Sequence, residues 1–420
     1  MPPSPPTAHT AAPAAAARPR VSHALAGWAL ALLLGLQPAT TDIYLPALPL
    51  LTRDLSAPMS GAQLTMSALM LAFGIAQLVW GPVADRVGRR PVLLAGLSAY
   101  VVASVASALA GSIEALVAWR AVQGAAMAAA VVCARAIVRD LYEPAEGAKV
   151  MSLGLSGLGL IAISGPAIGG LVAAAWGWRA VLGVVAAIGV ATLFFVILRL
   201  PETLRQRNPH ATAAGPLLAA WSRIGRHPVF VAWTLLTSCT YGGLFTLLAG
   251  SSFVYMDVLG VPAAGYGLAM ASSATSYLAG TFVCRRWIPR LGIERTVRRA
   301  SGFTLAGGIA MAALALAGVQ SVWAVLLPQW AYMFAHGIHQ PCGQAGAVGP
   351  FPQSAGAASA LSGFVLALVA FGIGAWLGRA IDGTVMPMAL GVGFWALATG
   401  AVALVLVQRL PRAGASERPA

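Results

Sequence analysis

The stretch ALLLGLQPATTDIYLPALPLL (31–51) holds one charged residue, Asp42, within a run from Ala24 to Leu51 that contains no other ionisable acid or base. A carboxylate near the middle of a membrane helix costs about 2.5–3.5 kcal/mol, so such a group usually has a task. A second charge, Arg120, stands in AWRAVQG (118–124) of another apolar segment. At 1.5 Å per residue both side chains start roughly 10–12 Å below the outer end of their segments, so their depths match. A carboxylate whose proton affinity depends on the distance to an arginine can load and release a proton as helices move. The competing reading is a static ion pair joining two helices. No other acid lies far from a segment end, which favours the proton carrier. Pro38 and Pro46 remove backbone donors from the carbonyls of Leu34 and Asp42, so the chain is expected to bend beside the acid.

Other residues offer binding or gating chemistry. In GPVADRVGRRP (81–91) Gly81 admits a neighbouring helix and Gly88 permits a tight turn. Asp85 can accept from a helix N-terminus, while Arg86, Arg89 and Arg90 seek carboxylates or lipid phosphates. At helical spacing Arg120, Gln123 and Met127 share a face, as do Thr234, Thr237, Ser238, Tyr241 and Phe245. Tyr266, Met270, Ser273 and Tyr277 form a third stripe, and Gln329, Tyr332, His336, His339 and Gln340 a fourth. Gln123, Met127, Tyr241, Phe245, Tyr277 and His336 are the candidate substrate contacts. Each stripe has a packing alternative, because methionines and aromatics fill cores as readily as they meet ligands. His336 and His339 at i, i+3 lack an aligned acid, so no metal site is expected; they serve as a ligand contact, a second proton stop or a packing pair. No nucleotide-binding GxxxxGK[ST], HExxH or GxSxG occurs, so neither an enzyme nor an ATP-driven pump is expected, and no cofactor.

The elements that must hold these residues are membrane helices. The chain has 420 residues, of which 59% are hydrophobic and 9% charged, far from the roughly 25% charged composition of a soluble domain. Twelve apolar segments are expected, at 24–51, 61–83, 91–111, 113–138, 149–175, 178–200, 228–256, 263–284, 300–318, 321–345, 356–379 and 387–408. Forty-seven glycines suit helices that pack closely in lipid. With the N-terminus inside, all Lys and Arg except Arg53, Arg120, Arg179 and Arg379 fall on the cytoplasmic side or at its margin. The net charge of +14 is therefore topological, with anionic lipid headgroups as partners and no role for nucleic acid. Cys133, Cys239, Cys284 and Cys342 sit in four different segments without metal or disulfide spacing.

The expected layout is a disordered cytoplasmic tail (1–21), a six-helix half (22–200), a cytoplasmic linker (201–227), a second six-helix half (228–408) and a cytoplasmic tail (409–420). One amphipathic turn is expected in the linker around Leu217–Ile224. DRVGRRPVLLAG after the second segment is echoed by PRLGIERTVRRASG after the eighth, consistent with duplicated halves around a central cavity.

GPVADRVGRRP resembles the signature loop of the major facilitator superfamily. Together with TTDIYLPALP, RAVQG (120–124), RDLY (139–142), GPAIGG (165–170) and LPETL (200–204), it resembles the bicyclomycin/chloramphenicol-resistance (Bcr/CflA) drug:proton antiporters. The resemblance implies an all-α major facilitator fold with twelve transmembrane helices. It also implies proton coupling by Asp42 and Arg120, a hinge at Gly165, Pro166, Gly169 and Gly170, and a gate built from Asp85, Arg86 and Arg90 with Asp140 as charge partner. The fifth-segment motif departs from the family pattern at Ile161, where a further glycine is expected.

These features predict a monomeric multidrug efflux antiporter of a bacterial inner membrane, with both termini cytoplasmic and driven by the proton gradient. One proton crossing 100 mV and one pH unit releases about 3.7 kcal/mol, a ceiling of roughly 500-fold for a neutral molecule. A monovalent cation gains only about tenfold, so a small, amphipathic, neutral substrate is expected. The alternatives are a proton-coupled uptake symporter on the same fold and a non-transport receptor or scaffold.

Overall fold

Apolar runs rich in alanine and leucine, interrupted by proline and by glycines with positive φ, set the helix limits in the computed structural model. It describes residues 22–410 other than Glu143 and Arg205; the expected tail 1–21 and residues 411–420 lie outside the described residues. The first half comprises α1 (His23–Asp42), a 3₁₀ turn (Leu45–Ala47), α2 (Leu48–Asp54), α3 (Met59–Val87), α4 (Arg89–Ala108), α5 (Ile113–Leu141) and α6 (Pro144–Arg199). Gly177, with φ 78°, is the non-helical joint inside α6 where the expected segments 149–175 and 178–200 meet. The linker carries α7 (Ala214–Gly225), longer than the single turn expected there. The second half comprises α8 (Pro228–Phe253), α9 (Ala263–Leu291), α10 (Ile293–Leu316), α11 (Val322–Val348), α12 (Ala355–Ala380) and α13 (Met386–Ala401).

By length and composition, nine of the described helical stretches can cross a membrane. Helices α9 and α11 are 29 and 27 residues long but fall outside that set. Their polar load explains it: Tyr266 and Ser273 on α9, and Gln329, His336 and His339 on α11, are buried against other helices rather than offered to lipid. Large apolar side chains cover the outside instead, among them Leu171, Phe194, Leu268, Phe282 and Phe394, a surface suited to hydrocarbon and not to water.

Within the halves α1 packs on α6, α3 and α4 on α5, α10 on α11 and α13, and α9 on α11. Two seams join the halves, α3 with α12 and α6 with α9. Small residues make both close. A methyl group on Gly74 would fall 2.2 Å from Ala367 Cβ, and one on Gly170 would fall 2.4 Å from the Ala263 carbonyl oxygen. At the bundle end that carries Arg53, Arg179 and Arg379, Arg53 of α2 pairs with Asp257 beyond α8, adding a charged tie between halves. The opposite, arginine-rich end holds the α3–α4 and α9–α10 joints.

Candidate functional site

Helix α1 stops at Asp42, where the prolines predicted a bend, and the chain continues through the 3₁₀ turn that contains Pro46. The Asp42 carboxylate accepts a hydrogen bond from Thr41 Oγ1 at 2.7 Å. A methyl group on Gly165 of α6 would sit 3.5 Å from Asp42 Cβ, and one on Gly169 would fall 2.1 Å from the Ile43 carbonyl oxygen. Glycine at 169 is therefore required for α6 to lie against the broken end of α1. Toward the second half, the same segment of α6 lies against α9: a methyl group on Gly267 would fall 2.5 Å from the Pro166 carbonyl oxygen, as one on Gly170 would from that of Ala263 at 2.4 Å. The acid thus stands where α1, the GPAIGG segment and the second half meet.

Arg120 is fully buried, and its setting corrects the expected convergence with Asp42. Among the described residues neither side chain has an ion-pair partner. Arg120 Nη1 donates to Gln123 Oε1 at 2.6 Å and Nη2 to the Thr40 carbonyl at 3.3 Å, while the guanidinium lies 4.2 Å from the Tyr44 ring centroid. The matched depth agrees with expectation; the direction does not. Thr40 and Tyr44, four residues apart, share the face of α1 that meets Arg120, whereas Asp42 is two positions from each and projects away. The network continues from Gln123 Nε2 to Ser104 Oγ at 2.6 Å, and Thr40 Oγ1 and Tyr100 OH are 2.6 Å apart. Tyr44 OH lies 2.9 Å from Thr65 Oγ1, so Arg120 knits α1, α3, α4 and α5 together.

At the arginine-rich end the centre of the charge cluster is Arg89, not Arg86 or Arg90. Arg89 is 3% exposed and pairs with Asp85 at 2.6 Å and Asp140 at 2.9 Å. Arg86 instead donates to Thr212 Oγ1 and Arg90 to the Ile197 carbonyl. Sequence reasoning missed Glu202: its carboxylate accepts from the backbone N–H groups of Arg89 and Arg90 at 3.0 and 3.1 Å, capping α4. Gly88 has φ 121°, and a methyl group there would meet Glu202 Oε2 at 2.5 Å. The signal was LPETL itself, an acid just past a helix end. Gly81 is packed only loosely, since a methyl group there would still sit 3.9 Å from Val132 Cγ1.

The departure at Ile161 has a structural partner. A methyl group on Gly35 of α1 would fall 2.3 Å from Ile161 Cδ1, so the small residue at this contact lies on α1 and the large one on α6.

In the second half the polar stripe of α11, apart from Gln340, turns inward rather than toward a cavity. His336 Nδ1 and Thr240 Oγ1 are 3.0 Å apart, and the His336 ring lies 5.7 Å from that of Tyr277. His339 Nε2 and Thr304 Oγ1 are 3.1 Å apart, and Gln329 Nε2 donates to Ser273 Oγ at 2.8 Å. Among the described residues no three His, Cys, Asp or Glu side chains cluster as metal ligands, and the four cysteines are free.

A small, partly open cavity of about 100 Å³ lies between the halves. Of the six candidate substrate contacts it is lined by Tyr241 alone; Gln123, Met127 and Phe245 are fully buried, and Tyr277 and His336 pack on each other. Its polar wall comes from Gln37, Gln77, Arg135, Gln340 and Gln344, and its apolar wall includes Met70, Phe73 and Leu366. Gln340 belongs to the expected α11 stripe. Arg135 falls in the basic end of its segment, a position that hides its place in the cavity from a reading of the sequence.

Comparison with known proteins agrees with this architecture. A family model described as Major Facilitator Superfamily matches residues 30–375. The chain is 34% identical over 300 residues to a chloramphenicol resistance protein of Pseudomonas aeruginosa, covering 69% of this chain and 68% of that protein. It is 29% identical to multidrug resistance protein D of Escherichia coli K12 over 80% of this chain and 83% of that protein. It is 26% identical to a bicyclomycin resistance protein homolog of Haemophilus influenzae over 87% of this chain and 91% of that protein. In fold it is similar to the xylose transporter XylE of Escherichia coli, with a TM-score of 0.73 at 14% identity, covering 93% of this chain and all of that one. The helical seams, the α3–α4 charge cluster and these relatives together establish that the chain belongs to the major facilitator superfamily, in its Bcr/CflA group of bicyclomycin- and chloramphenicol-resistance proteins.

Proposed function

We propose that this multi-pass membrane protein exports small drug-like molecules in exchange for protons, from a bacterial inner membrane in which both termini and the arginine-rich end face the cytoplasm. The observation that carries the reading is the position of Asp42. It is an acid at the broken end of α1, against the Gly165–Gly170 segment and toward the second half. A proton there alters the contact between halves, so occupancy can bias which side the cavity faces. In this cycle Asp42 takes a proton from outside, the cavity turns inward, and entry of substrate favours proton release to the cytoplasm. Arg120 holds the Thr40 carbonyl, so the charge that attracts the deprotonated acid is tied to the adjoining turn of α1. Asp85, Arg89 and Asp140, braced by Glu202, hold the cytoplasmic gate. Relatives bearing resistance names support drugs as substrates, and a cavity wall with Arg135 and, among the described residues, no Asp or Glu supports a substrate without positive charge. Nothing in this cycle calls for catalysis, a cofactor or a second copy of the chain.

The test is transport in inside-out vesicles. Adding a substrate should release lumenal protons with the wild-type protein and not with Asp42→Asn, and the folded mutant should lose protection in a growth assay. Proton uptake with the substrate would identify a symporter. Undiminished gradient-driven transport by Asp42→Asn would remove Asp42 from the mechanism, and a protein that moves nothing would be the receptor or scaffold.

A further inference from the structure

We infer that the cavity recognises an amphipathic molecule through an anionic headgroup, held by Arg135. This deepens the exporter reading and rests on it. Arg135 lies on α5, six residues before its last residue, Leu141. Its one hydrogen bond among the described residues runs from Nη1 to Ser359 Oγ of α12 at 2.8 Å, across the two halves. No carboxylate pairs with it, so most of a five-donor guanidinium is free toward the cavity it lines. Four carboxamides, Gln37, Gln77, Gln340 and Gln344, line the same space, and their side chains make no hydrogen bond among the described residues. The Gln340 Oε1 atom is buried without any partner. Gln77 is a buried residue, while Arg135 and Gln344 are exposed where the cavity opens. The enclosed amides are completed by a ligand or by water, because unpaired buried polar atoms are costly. Among the described residues no Asp or Glu lines it, and the one formal charge on its wall is that of Arg135. A planar guanidinium suits a carboxylate or another oxyanion, to which it can donate two parallel bonds. Met70, Phe73 and Leu366 provide the wall for an apolar body.

Coupling is compatible with an anion. Arg135 lies further along α5 than Arg120, which sits at the level of Asp42, by about 22 Å. At that separation and an effective dielectric near 20, the mutual influence of bound anion and Asp42 is only about three- to fourfold in affinity. Exchange of one proton for one monoanion moves two charges down the potential, raising the accumulation ceiling to about 10⁴-fold.

The experiment uses the purified full chain in detergent, without a gradient, and three fluorescent probes with one body: N-dansylglycine, its amide, and N-dansylethylenediamine. The carboxylate should bind at least about tenfold tighter than the ammonium probe. Arg135→Gln should reduce that preference to within about twofold, whereas Arg139→Gln, a nearby arginine outside the cavity wall, should keep it. If Arg135→Gln fails to fold, competition on the wild-type protein decides: benzoate should displace N-dansylglycine and benzylamine should not. Equal affinities, an ammonium preference, a preference that survives Arg135→Gln, or no binding of the carboxylate probe at millimolar concentration each overturns the proposal. Failure of the exporter reading looks different: Asp42→Asn would retain both the headgroup preference and gradient-driven transport.

Discussion

At the α3–α4 joint Gly88 turns the chain with φ 121°, and at the α9–α10 joint Gly292 does so with φ 77°. The sequence echo between these loops is thus a real repeat of backbone shape. Their surroundings differ. Around Gly88, Arg89 pairs with Asp85 and Asp140 while Glu202 caps α4; around Gly292 the neighbouring arginines have no ion-pair partner among the described residues. The interiors differ in the same sense. Buried Arg89 and Arg120 belong to the first half, whereas the buried polar groups of the second are amides, hydroxyls and imidazoles among the described residues. The two joints share a turn geometry but not their surroundings: the buried guanidinium groups lie in the first half, and hydrogen bonds among amides, hydroxyls and imidazoles run through the second.

The largest expected effect tests that separation directly. Asp42→Asn should abolish gradient-driven accumulation in vesicles, while His336→Gln and His339→Gln should each retain it to within about twofold, consistent with partners that are hydroxyls rather than charges. Loss of accumulation in a folded His336→Gln protein would show that both halves handle protons.

Next comes the buried guanidinium. Arg89→Ala should destabilise the protein by about 2–3 kcal/mol, less than a fully buried pair because Asp85 is 44% exposed. Arg290→Ala, on the exposed counterpart face, should stay within about 0.5 kcal/mol. Thermal unfolding in detergent measures both, and equal losses would erase the contrast between the loops.

The two glycines sharpen it further. Gly88→Ala and Gly292→Ala each force a side chain into a glycine-only backbone region, at about 1–3 kcal/mol. Gly88→Ala should cost about 1 kcal/mol more, because Glu202 must retreat from the α4 N-terminus. The smallest effect belongs to Glu202→Gln, which leaves one acceptor oxygen at the cap, sets an NH2 donor against the other backbone N–H and removes the charge that favours the helix dipole. Its expected cost is about 0.5–1.5 kcal/mol, of which only the part due to charge should be lost at high salt.

Reading along the chain succeeded wherever one segment decided the outcome. The bend after Asp42 follows from Pro46 and the break in α6 from Gly177, both local effects. It fell short where two segments had to be oriented together. Asp42 and Arg120 share a level, but a shift of two residues on α1 separates the faces, and hydropathy carries no information about rotation. The same blindness placed His336 and Gln123 in a cavity that they do not line and left Arg135 among the basic loop residues. The glycine expected at 161 sits across the contact at Gly35, a complement visible only when both helices are seen.

What the amino-acid order determined alone is the all-helical, apolar character of the chain, the breaks at Pro46 and Gly177, the asymmetry of positive charge and the family motifs. These depend on local sterics and on transfer between water and hydrocarbon, which act residue by residue. Only the tertiary structure decided that Arg120 grips a carbonyl instead of a carboxylate, that Glu202 caps α4, and that Arg135 shares a cavity with four free amides. Those outcomes depend on helix rotation, which is set by close contacts such as Gly169 with Ile43 and Gly74 with Ala367, between residues far apart in the chain.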